Sequence, residues 1–116
     1  MTLVEEMELL YLASKAYGVE IFWLSRGPKR APVALYRVRN KHYSFNSLHN
    51  DGDCARLGGK IKASIVHHKN LVEVFVKISS SKCHFIEERF KEESERHPAT
   101  RLAVTRIAAK IGKGMK

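Results

Sequence analysis

The sequence predicts a single α+β domain over residues 1–112, with an N-terminal helix, an antiparallel sheet of four to five strands and two C-terminal helices. Three observations predict it. The two ends of the chain carry apolar residues at helical spacing. The middle runs through β-branched and aromatic segments separated by turn signals. The length, 116 residues with 44% hydrophobic content, suits one ordinary domain with its own core, and neither an internal repeat nor a linker divides it.

Thr2-Leu3-Val4-Glu5 fits a capping box, in which the threonine hydroxyl and the glutamate carboxylate satisfy free amide donors of a first turn. Leu3, Met7, Leu10 and Tyr17 follow at helical spacing with the small Ser14 in the same stripe, so a helix is expected over 3–17, stopped by Gly18. Val19–Leu24 and Pro32–Arg39 read as a hairpin whose tip, Ser25 to Arg30, is a loop by its Gly27-Pro28 pair. Asn40-Lys41 turns the chain into a short strand, His42–Phe45, and Asn46–Asp53 reads as a loop with Asn50-Asp51-Gly52 as its turn signal. Lys60–His67 and Leu71–Ile78 form the clearest strand pair, the second a candidate exposed edge open to a two-fold mate.

Ser79-Ser80-Ser81 supplies caps for a mixed-charge helix over 82–96. Pro98 fits the first turn of a last helix, in which Val104, Ile107, Ala108 and Ile111 make an apolar stripe. Arg106, Lys110 and Lys113 fall on its opposite side, and residues 113–116 are expected to form a basic, frayed tail.

Charge is distributed unevenly. Residues 18–45 hold Arg26, Lys29, Arg30, Arg37, Arg39 and Lys41 against one acid, Glu20, and residues 98–116 hold five cations and no acid, within a total of +9. Phosphate backbones reward such acid-poor segments through counterion release. Arginine beside glycine at Arg26-Gly27 suits close approach to a phosphate, and Tyr36 or Tyr43 offers a ring for base stacking. The expected partner is therefore the backbone of a nucleic acid, RNA ahead of DNA. The expected contacts are Arg26, Lys29, Arg30, Arg37, Arg39, Lys41, Arg106, Lys110 and Lys113, with neither catalysis nor a cofactor. An acidic protein surface is the competing partner, and a homodimer is compatible with either.

Six histidines and two cysteines lack metal-binding spacing: no Cys-x-x-Cys or His-x₃-His occurs, and adjacent His67 and His68 face opposite sides of a strand, so no metal is expected. Asp51-Gly52-Asp53-Cys54 resembles the nucleophile motif of ovarian-tumour-type cysteine proteases, and Pro32 to Tyr43, ending in His42-Tyr43, is similar to the strand that bears their histidine. The resemblance implies a thiol nucleophile at Cys54 with His42 as its base. It covers two short segments, in the reverse of that family's order, and leaves a cysteine hydrolase or a small nuclease as the enzymatic alternative. Glu5, Glu6 and Glu8 interrupt any signal-peptide core and no run is long enough to span a bilayer, so reduced thiols and a cytoplasmic or nuclear setting are expected.

Overall fold

The computed structural model describes residues 1–115. Helix α1 (Leu3–Tyr17) opens with the reciprocal cap: Glu5 N donates to Thr2 Oγ1 at 3.1 Å and Thr2 N donates to Glu5 Oε1 at 3.2 Å. Gly18, at φ +86°, closes it in the left-handed region that glycine adopts without steric cost.

Strands β1 (Phe22–Leu24), β2 (Val33–Val38) and β3 (Lys41–Ser44) form a first antiparallel meander, in which Phe22 pairs Leu35 and Leu35 pairs Ser44. Its inner face presents Trp23, Ala34 and Tyr36, continued by Phe45, to the core.

The segment after β3 departs from expectation. Instead of a loop and an early strand, helix α2 (Asp51–Ile61) forms, capped by Asn50, whose Oδ1 accepts from Asp53 N at 2.8 Å. Asp53 is held in turn by the Asn46 amide at 2.9 Å and by Arg56 Nη2 at 2.5 Å. A turn signal and a helix N-cap use the same residue types. Burial of Cys54 and Leu57 against the core offsets the low helix propensity of Gly58 and Gly59.

Strands β4 (Ser64–His68), β5 (Leu71–Lys77) and β6 (Cys83–Arg89) form a second meander. The helix expected over 82–96 is thus a strand followed by one 3₁₀ turn at Glu93–Glu95. Clustered glutamates favour a helix locally, but His84, Ile86, Glu88 and Phe90 alternate with exposed partners, and pairing with β5 satisfies that period of two. β5 is consequently a central strand and not an edge. Six strands in two sheets, and one C-terminal helix in place of two, replace the expected arrangement within the same α+β class.

Helix α3 (Arg96–Lys113) is the spine of the core. Val72, Val74 and Val76 cover one side of it, Leu57 and Cys54 of α2 another, and Leu10 and Ala13 of α1 a third. Ala103, Ala108, Ala109 and Gly112 keep it slender enough for close approach; a Cβ at Gly112 would overlap the Leu12 carbonyl oxygen. Thr105 Oγ1 donates to Ser47 Oγ at 2.8 Å, which satisfies the two hydroxyls that α3 and the β3–α2 connection bury. Lys113 closes α3, and Lys116 of the expected tail lies outside the described residues.

Candidate nucleic-acid interface

The outer face of the first sheet follows from its register. Phe22, Leu24, Val33, Leu35, Arg37, His42 and Ser44 share it, because side chains alternate along each strand and paired residues project to the same side. Phe22 and Leu24 are 43% and 50% exposed there. His42 stands edge-on to Phe22, with ring centroids 5.6 Å apart and planes 77° apart.

Cations close both ends of this face. At one end the β1–β2 loop carries exposed Arg26, Lys29 and Arg30. Gly27, at φ +110°, sets its turn, which the Arg30 amide tightens by donating to the Gly27 carbonyl at 3.3 Å. Arg26 folds back so that its Nε donates to the Ala31 carbonyl at 3.1 Å. At the other end Arg37 Nε donates to the Arg39 carbonyl at 2.8 Å, bracing a turn in which Arg39 itself takes φ +57°. In both cases the hydrogen bond engages Nε, and the two terminal nitrogens hold no carboxylate among the described residues, which leaves them able to grip a phosphate with two parallel hydrogen bonds. Lys41 follows on β3, exposed, but it pairs Val38 and so projects to the opposite side of the sheet, the side of Tyr36 and Tyr43.

Pairing separates this surface from the rest of the molecule. Arg56, Arg89, Arg96, Arg101 and Arg106 each hold a carboxylate, on Asp53, Glu87, Glu93, Asp51 and Glu88 respectively. Among the described residues, Arg26, Arg30, Arg37 and Arg39 hold none within 4.0 Å. The outer face of the second sheet offers a contrast: Val66, Phe75 and Phe85 lie there among Glu73, Glu87, Arg89 and Lys77, so its charges are mixed and largely self-paired.

The structure brings together six of the nine residues expected from sequence, all on or beside the first sheet. Of the three on α3, Lys110 and Lys113 are exposed on its last turns, alongside Lys15 and the end of α1. Arg106 is tied to Glu88 of β6 and lies in a cleft with Glu5 and Glu8 of α1. The tyrosines expected to stack bases lie on the inner side. Tyr36 and Tyr43 stack on each other at 5.6 Å, and Tyr36 meets Tyr17 edge-on at 6.1 Å, where burial and the Tyr17 hydroxyl raise the Tyr36 pKa. Phe22, an aromatic residue on a strand that composition alone would place in the core, lies on the outer face. Strict alternation against half-buried Trp23 was the signal that placed it outside.

A second concavity, a groove of about 490 Å³ between α2, the start of β4 and the first turns of α3, holds Cys54, His97 and the Asp51–Arg101 ion pair. Burial pushes the Cys54 thiol up to about 11, despite the Arg101 guanidinium, so it is protonated at neutral pH. His42, the partner that the protease resemblance implies, packs on Phe22 on the outer sheet face and not on Cys54. His67 and His68 likewise serve local contacts, His67 Nδ1 with Arg96 Nη1 at 3.1 Å and His68 Nε2 with Glu73 at 3.4 Å.

No helix among the described residues is long and apolar enough to cross a membrane. No family model, curated protein sequence or solved structure matches the chain.

Proposed function

We propose that this protein binds nucleic acid, RNA ahead of DNA, by holding the phosphate backbone against the first sheet, and that it performs no chemistry on it. One observation carries the reading: every arginine after β3 is neutralised by a carboxylate, while the four arginines of the first sheet and its loops are not. A surface selected only for solubility has no reason to sort its pairs in this way, whereas unpaired cations that outnumber the single nearby acid, Glu20, are what counterion release requires. Arg26, Lys29, Arg30, Arg37 and Arg39 are the principal contacts, and Lys41, on the other side of the edge strand β3, is a peripheral one. Lys110 and Lys113 on α3 provide a secondary one, and Arg106 serves mainly to hold β6.

The test is affinity against salt. Log Kd should rise with log salt at about 0.7 to 0.9 per phosphate contact, giving a combined slope of several units. Arg26→Glu, Lys29→Glu and Arg30→Glu together should reduce that slope by about 2 to 3 and leave the circular dichroism spectrum unchanged. A slope near zero in the unmutated protein rejects the reading. An acidic protein surface would meet the same cations, and a partner whose capture survives nuclease digestion would favour it instead.

A further inference from the structure

We infer that the ligand of the first sheet is single-stranded, and that its unpaired bases stack on the apolar outer face around Phe22. This rests on the phosphate-binding reading and adds what the centre of the same surface does.

The composition of that centre discriminates between the two forms of a nucleic acid. A duplex keeps its bases stacked on one another and presents phosphates, sugars and polar base edges. Phe22, Leu24, Val33 and Leu35 have no donor or acceptor in their side chains with which to read such edges. An unpaired base instead presents a π-face that an exposed ring and its apolar neighbours cover well. Register sets two rings on this face, Phe22 and His42, and their edge-on contact fixes the orientation of Phe22 while leaving it 43% exposed. Ser44, opposite Leu35, adds a hydroxyl at the rim.

The cations are placed to match. From Val33 to Arg37 is four residues of strand, about 13 Å at the usual rise. A strand laid across the face therefore has its bases over Phe22 and Leu24, with backbone running toward Arg37 and Arg39 at one end and the Arg26–Arg30 loop at the other. The paired strand positions of the face carry no carboxylate, and Glu20, just before β1, is the one acid lining the groove beside Phe22, Arg37 and Arg39. Trp23, the only tryptophan in the chain, sits half-buried beneath Phe22 on the inner side and reports on ligand binding without touching the ligand.

The experiment measures fluorescence anisotropy with labelled oligo-uridine and oligo-thymidine strands and with RNA and DNA duplexes of matched length, following Trp23 emission in parallel. The single strands should bind about tenfold or more tightly than the duplexes, with uridine against thymidine separating RNA from DNA as the source. Phe22→Leu keeps the apolar area and removes the ring; it should lower single-strand affinity about five- to fiftyfold with the salt slope unchanged, while Phe22→Tyr stays within about twofold of the unmutated protein. Urea midpoints establish that both variants fold. Equal affinity for strand and duplex, or an unaltered Phe22→Leu, overturns the stacking inference while a retained salt slope keeps the phosphate-binding reading. Absence of both affinity and slope overturns the two together.

Discussion

Arg39 sits at φ +57° in the β2–β3 turn, a backbone region in which an L side chain other than glycine, asparagine or aspartate costs about 1 kcal/mol or more. The two other non-glycine residues in this region are Lys62, at the end of α2, and Asn70 in the β4–β5 turn, of which Asn70 is an ordinary occupant. The hydrogen bond from Arg37 Nε to the Arg39 carbonyl holds the strained turn in place. On the proposed function, the strain is retained because the turn needs a cation. Arg39→Gly is therefore expected to stabilise the fold by about 0.5–1 kcal/mol in urea titrations while weakening nucleic-acid affinity several-fold, a divergence that no purely structural role for Arg39 produces. The two thiols give a second prediction at this scale. Cys83 is exposed and Cys54 buried, so Ellman's reagent should modify one thiol in the native protein and two in denaturant. Because the folded Cys54 thiol holds its proton up to about 11 against an ordinary 9.0, the folded state binds that proton more tightly than the unfolded chain does. Its contribution to stability is complete below about pH 9 and lost as pH rises toward 11, by about 2–3 kcal/mol. The stability difference between the unmutated protein and Cys54→Ala should shrink by that amount between about pH 8 and about pH 11.

Among the elements, α3 and β6 show how one ion pair divides structural from functional charge. Arg106 projects from the exposed stripe of α3, where the helical spacing of Arg106, Lys110 and Lys113 placed all three together. Glu88 of β6 then reaches across and takes Arg106, and only pairing β6 to β5 puts Glu88 on the side that faces α3. Arg106→Gln should consequently change nucleic-acid affinity by no more than about twofold, while lowering stability by about 0.5–2 kcal/mol, since Glu88 is mostly covered and loses its partner. Lys110→Gln with Lys113→Gln should show the reverse balance. The strands of the first sheet were legible as alternation and turn chemistry, and α1 as a capping box followed by a glycine stop. Helix α2 and strand β6 were not, for related reasons: Asn50-Asp51-Gly52-Asp53 serves equally as turn or N-cap, and a glutamate-rich segment has helix propensity whether or not a neighbouring strand needs it.

Over the whole molecule, two meanders each lead into a helix, β1–β3 into α2 and β4–β6 into α3, with α1 completing the core around α3. The two outer sheet faces that result are chemically unlike. One mixes glutamates with their own cations; the other has an apolar centre, arginines at its ends that hold no carboxylate among the described residues, and one nearby acid, Glu20. The salt slope and its reduction by loop charge reversal belong to this scale, since they count phosphates met by the surface as a unit. Sequence alone determined the class of fold, the basic character of residues 18–45 and their scarcity of acids, because composition and short-range periodicity are local properties that folding does not alter. Tertiary structure decided which cations are free and which ring is offered to a ligand. Carboxylates distant in the chain, such as Glu88 and Asp51, reach their arginines only after packing, and whether Phe22 lies in the core or on the surface turns on which face of its sheet the helices cover.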